Sequence, residues 1–163
     1  MKTKNVEEYV INYYNDKVKI YNSIFKYAIE IGVISNNSLR RDDKDITNAM
    51  LLYIHENGSP VNNIPSRPVI KLTIQYAKNV LLPKTLKDIN KGVFSQNWDE
   101  ARCKLELERL CQRMQNEARK IIYRSNLLEK NKPTTIKRKG SDRPLLDTGK
   151  LARSITCRLI EIK

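Results

Sequence analysis

From Trp98 to Leu128 the chain sets Trp98, Ala101, Leu105, Leu107, Leu110, Met114, Ala118, Ile121, Ile122 and Leu128 at intervals of mostly three and four residues. That spacing keeps one side of a helix apolar for about eight turns at 3.6 residues per turn. Asn97, with Glu100 three residues later, has the pattern of a helix start, and Pro133 bars continuation beyond the far end. Arg102, Lys104, Arg109, Arg113, Arg119, Lys120 and Arg124 fall between the apolar positions, so the wet side of this helix is basic. A helix this long with a single apolar stripe needs a sheet or a layer of other helices to cover it. Its cations either stay in water or face a polyanion or an acidic protein, and periodicity alone leaves both open.

The N-terminal half supplies candidates for the covering layer. Val6, Tyr9, Val10 and Tyr13 share one helical face, with Glu7 and Glu8 favourable in the first turn. Tyr27, Ile29, Ile31 and Val33 alternate with smaller or polar neighbours, which predicts a strand that Asn36 and Asn37 end. Residues 39–44 are polar and charged and read as a loop or hairpin tip. Asp45 is placed to cap a helix through Ile46, Ala49, Met50 and Tyr53 that stops before Gly58. Asn57-Gly58-Ser59-Pro60 is a turn, and with Pro65 and Pro68 close behind, residues 57–66 are expected to form an irregular surface loop. Ser66 is expected to cap a further helix from Val69 that ends before Pro83, and Thr85 with Asp88 to open a short one closing near Gly92.

At the other end, Lys137-Arg138-Lys139 leads into Gly140 and then Leu145 and Leu146, after which Thr148 to Arg153 predicts a helical turn or two. Ile155, Cys157, Leu159 and Ile162 alternate approximately with polar residues, so the chain is expected to finish as a strand pairing with the one at Tyr27 to Val33. The sum is an α+β fold: a small antiparallel β-sheet packed against several helices, one of them the long basic amphipathic helix. With 163 residues, 40% of them apolar, the chain can bury one core, and residues 1–163 are expected to be a single domain. The 57–66 loop and an extended basic arm at residues 131–147 would be its appendages.

Charge and residue usage narrow the chemistry. Residues 1–64 are electrically neutral, so residues 65–163 carry the whole net charge of +13. Cys103, Cys111 and Cys157 are odd in number and lack a CxxC spacing, which points to free thiols in a reducing compartment. His55 is the sole histidine, so no metal-ligand spacing exists and no metal or cofactor is expected. No apolar run approaches the ~20 residues of a membrane span, and a soluble protein that stays where it is made is expected. Leu145-Leu146-Asp147-Thr148-Gly149 matches the short motif of retroviral-type aspartic proteases. Lys150 follows where a small residue is needed, the chain has only 5 glycines, and the surroundings predict helix. Asp147 or Thr148 is better placed to cap a helix, and the chain is expected not to be an enzyme.

Tyr53-Ile54-His55-Glu56-Asn57-Gly58, followed by Ile64-Pro65-Ser66-Arg67-Pro68-Val69, resembles the "HE-x-G … IP-x-RP" segment of tail-completion and neck proteins of tailed bacteriophages, including the virion-morphogenesis family of Mu-like phages. Thr135 to Ile155, with Lys139-Gly140, Pro144-Leu145, Asp147-Thr148-Gly149, Leu151 and Ser154-Ile155, is similar to that family's "T-x-x-x-KG … PL-x-DTG-x-L-x-x-SI" segment. The two lie in the family's order with a helical region between them. The resemblance implies a non-enzymatic virion protein that assembles in the bacterial host cytoplasm as a ring, of six copies, at the head-proximal end of the tail. Its partners would be other copies of itself and adjacent tail tube, sheath or neck proteins, with DNA passing the lumen.

On that basis His55, Glu56, Arg67, Lys137, Arg138, Lys139, Arg143 and Asp147 are the candidate subunit-interface residues. Arg67, held between Ser66 and Pro68, would offer a stiff guanidinium to a carboxylate on a neighbour, or else pair within the chain with Glu56 or Asp45. The alternative of another class is a nucleic-acid-binding protein using the basic helix at residues 98–129, whose binding would fall steeply with salt.

Overall fold

The structure, a computed structural model, describes residues 3–34, 46–95, 98–124 and 126–162. Helix α1 (Thr3–Asn22) runs through a 3-10 turn (Ser23–Lys26) into strand β1 (Tyr27–Gly32). Helices α2 (Asn48–Asn57), α3 (Val69–Tyr76) and α4 (Leu82–Val93) follow, then the long α5 (Glu100–Arg124), the short α6 (Pro133–Lys139) and α7 (Lys150–Ser154), and strand β2 (Thr156–Glu161). The two strands pair antiparallel in the register Tyr27 with Glu161 to Gly32 with Thr156. The α+β expectation, including the pairing of the strands in one small sheet, is what the fold shows.

Helix α5 is the spine. It buries Cys103, Leu107, Leu110, Cys111, Met114, Ala118, Ile121 and Ile122, a four-three repeat that winds along one face. Ile29 and Ile31 of β1 and Cys157 of β2 pack over its middle, beside Leu110 and Met114. Two of the buried positions are cysteines, which the apolar stripe read from the sequence passed over. Conversely, Ala101 is exposed and Leu105 is 44% exposed. The start is set by Asp99, whose carboxylate accepts the Arg102 N–H at 2.9 Å. Asn97, expected to do this, lies outside the described residues.

Other local expectations are corrected by tertiary partners. Thr47 caps α2, accepting the Met50 N–H at 3.1 Å, while Asp45 lies outside the described residues along with Asn36, Asn37 and the 39–44 segment. Ser66 does not cap α3; its hydroxyl donates to the Glu56 carbonyl at 2.8 Å. Pro83 does not end the helix before it. The rod runs unbroken from Val69 to Val93 because residues Ala77–Leu81 form a π turn in which the Leu82 N–H reaches back to the Ala77 carbonyl. One wider turn loosens the ladder where the proline lacks an N–H and its ring crowds the preceding turn. Thr85, expected at a helix start, is therefore fully buried inside that rod.

The expected N-terminal helix forms, but most of its apolar face stays bare: Val6, Tyr9 and Tyr14 are more than half exposed. Its end docks, through Ile20 and Tyr21, against Ile89, Val93, Cys103 and Leu107. The segment expected as an extended arm is also corrected. Residues 133–139 are helical, Gly140 ends that helix with a φ of 68°, and the chain returns to lie over its own 58–67 loop.

Candidate functional site

Two segments far apart in sequence meet at one cavity. The first is the loop after α2. The Ser59 and Ile64 backbones exchange hydrogen bonds at 2.8 and 2.9 Å, and the Arg67 N–H donates to the His55 carbonyl at 2.6 Å, closing residues 58–67 on themselves. Gly58 is required at its neck: with a φ of 77°, any Cβ there would stand 3.0 Å from the Ser66 nitrogen. Glu56 turns away and accepts the Ile70 and Lys71 N–H groups at 2.9 and 2.7 Å, so it caps α3 and is spent inside the fold.

The second segment is the return from α5. Arg67, buried to 6% exposure, donates through Nε to the Glu129 carbonyl at 2.8 Å and through Nη2 to the Lys130 carbonyl at 3.2 Å. Asn131 then holds the end of the strap, donating to the Arg143 carbonyl at 3.1 Å. Arg67 therefore does not pair with Glu56, whose carboxylate is engaged by the Ile70 and Lys71 N–H groups, and Asp45, the other partner expected within the chain, lies outside the described residues. The Arg67 guanidinium clamps three consecutive residues of its own chain, which fits a side chain with several donors in a fixed plane.

Between loop and strap lies a cavity of about 720 Å³. Of the expected interface residues it gathers His55, Arg67, Arg138, Lys139 and Asp147; Glu56, Lys137 and Arg143 are not on its lining. It adds residues the sequence did not single out, notably Asn62, Asn63, Asn131 and Lys132, whose only signal was their place at the loop tip and ahead of Pro133. Leu51, Ile64, Leu145 and Leu151 give it apolar walls. Asp147 is exposed, and α7 begins at Gly149 with no side-chain cap, so neither Asp147 nor Thr148 has the capping role expected of it.

The electrostatics follow from burial among cations. Burial, with Arg67 and Lys139 as positive neighbours, pushes the His55 imidazole from 6.5 down to about 4, and its Nδ1 is buried with no partner among the described residues. Burial also lowers Arg67, opposed by the Glu129 carboxylate. His55 is thus neutral at pH 7 in a cavity whose lining, among the described residues, carries four cations and one carboxylate.

The basic side of α5 is partly consumed within the chain. Arg119 reaches the carbonyls of Ala152 at 3.3 Å and Ile155 at 3.2 Å, and Arg109 and Lys120 pair with Glu106 and Glu117. Among the described residues no group of three or more His, Cys, Asp or Glu side chains could hold a metal ion, and no helix is long and apolar enough to cross a membrane. Comparison with models of known families, with curated proteins and with solved structures finds no match to this chain.

Proposed function

We propose that the chain is a non-enzymatic structural component of a phage or phage-like tail, assembling as a ring at the head-proximal end to complete the tail or join it to the neck. The observation that carries this reading is that the stretches that resemble the tail-completion and neck family, within residues 53–69 and residues 135–155, contribute to the lining of one cavity. Arg67 of the first is fastened to residues 129–131, just ahead of the second. Their motif residues serve as joints of a folded surface patch, and the mode of assembly is complementarity between such patches and neighbouring subunits, repeated around a symmetry axis. The bare apolar face of α1 is a second surface for a neighbour to cover.

Native mass spectrometry of the purified chain, followed by negative-stain electron microscopy, tests the ring. Closed rings, and location of the chain at the tail end of particles from a lysate, are expected. A protein that stays monomeric at high concentration and binds duplex DNA tightly, with affinity falling steeply in salt, overturns it in favour of the nucleic-acid reading. The exposed Arg102, Lys104 and Arg124 on α5 are what favour that second reading.

A further inference from the structure

We infer that Cys111 and Cys157 form a dithiol site that a small peroxide closes to a disulfide, tying strand β2 to helix α5. The assignment is independent of the tail reading.

The fold brings these two sulfurs together from opposite ends of a long return of the chain. Cys111 lies on the buried face of α5, and Gln115, one turn further along, accepts the Cys157 N–H through Oε1 at 3.0 Å. That bond pins residue 157 beside the turn that carries Cys111, and pairing with Ile31 in the sheet holds it from the other side. The thiols are in hydrogen-bond contact, the Cys157 S–H donating to the Cys111 sulfur. A disulfide needs two cysteines aimed at each other at close range, which is how this contact arranges them.

Access and reactivity set the pair apart from the third cysteine. Cys111 and Cys157 line one cavity of about 510 Å³ that the exposed Lys104, Glu108 and Gln112 also line, so a small oxidant reaches both from water. Cys103 is fully buried about two turns earlier on α5. Its Sγ accepts the Trp98 Nε1 hydrogen at 3.2 Å and donates to the Ile20 carbonyl at 3.7 Å. The hydrogen bond from Cys157 holds the Cys111 thiol below its ordinary value, against burial and the Glu108 carboxylate. Donating that bond, together with burial, raises the Cys157 thiol. Cys111 is therefore the attacking sulfur and Cys157 the resolving one.

The Cys111 thiolate attacks one oxygen of hydrogen peroxide; an S–O bond forms, the O–O bond breaks and hydroxide leaves, giving a sulfenic acid. The Cys157 sulfur then attacks the Cys111 sulfur, the S–O bond breaks, and the departing hydroxide takes the Cys157 proton as water. Two thiols and one peroxide become one disulfide and two waters, the sulfurs losing the two electrons that the peroxide oxygens gain.

The folded, full-length protein is treated with hydrogen peroxide, quenched with catalase, unfolded and alkylated with iodoacetamide. One alkylated thiol per chain, at Cys103, is expected in place of three, with the peptides of Cys111 and Cys157 recovered as one linked species. The same oxidation in urea should instead favour Cys103 with Cys111, the shortest loop open to an unfolded chain. The urea midpoint should rise on oxidation and fall back with dithiothreitol, because the link constrains the unfolded chain between residues 111 and 157. Cys157→Ser should leave Cys111 as a sulfenic acid that dimedone traps; if that variant fails to fold, the peptide map of the unsubstituted protein carries the test. Three alkylated thiols after peroxide overturn the proposal. So does a link through Cys103 in the folded protein, a link between two chains, a link that lowers the midpoint, or Cys111 carried on to a sulfinic acid with Cys157 still free.

Discussion

His55 and Arg67 are joined twice: the backbone carbonyl of His55 accepts the Arg67 N–H at 2.6 Å, and the Arg67 charge helps hold the His55 ring neutral. The hydrogen bond closes the loop and the charge sets the electrostatic character of the cavity, so a change at either residue is felt in both properties.

Replacing Arg67 by Ala should be among the more damaging single changes. It strands the carbonyls of Glu129 and Lys130 and empties a buried site, for a cost of about 2–4 kcal/mol. Arg67→Lys keeps a charge but cannot reach both carbonyls in one plane, and should recover only part. Chemical denaturation of the three proteins measures this; equal midpoints would show that the clamp contributes nothing.

Stability should fall on the acid side for a reason specific to His55. Its folded-state pKa is about 4 against an ordinary 6.5, so between those values the unfolded chain binds the proton that the folded chain refuses. The contribution is complete above pH 6.5 and is lost as pH drops toward 4. Allowing for the ring's partial exposure, the difference is about 1–2 kcal/mol. His55→Leu should flatten the slope of stability against pH in that window relative to the unsubstituted protein, read from denaturation midpoints across it.

Arg119 separates an internal role from a nucleic-acid one. It spans the carbonyls of Ala152, Arg153 and Ile155, at the C-terminal end of α7 where the chain enters β2. Arg119→Ala should cost about 1–2 kcal/mol and speed amide exchange at the start of β2, without altering any affinity for duplex DNA. A large loss of DNA binding with unchanged stability would reverse that assignment.

The strand pairing was legible because alternation at Tyr27 to Val33 and at Ile155 to Ile162 is a local property that the sheet simply uses. What escaped was settled by distant partners. Glu56 caps a helix that begins beyond the next loop, and Arg67 bonds to carbonyls more than sixty residues downstream, which no local spacing announces. Pro83 looked like a terminus because the rule for prolines assumes an α ladder, and a π turn removes that assumption. Charge counting is blind in the same way: Arg67 and Arg119 add to the basic total yet act on their own backbone. The cavity itself could not be read, since it exists only where the strap returns over the loop.

Gly92→Ala pits helix propensity against packing. The substitution favours the helix by roughly 1 kcal/mol at an ordinary interior position. Here the added methyl would meet Cζ3 and Cδ2 of the Trp98 ring at contact distances no real Cβ tolerates, and the half-buried indole must move. Moving it breaks the Trp98 Nε1 bond to the Cys103 Sγ at 3.2 Å and disturbs the cluster around Ile89 and Val93. Overpacking of this kind costs about 1–3 kcal/mol, so net destabilisation is expected. Trp98 is the only tryptophan, so its emission should shift to the red as the ring turns outward. Trp98→Ala should remove the conflict, leaving Gly92→Ala neutral or stabilising in that background, because the penalty belongs to the contact and not to the helix. A Gly92→Ala protein as destabilised without the indole as with it would place the constraint elsewhere in α4.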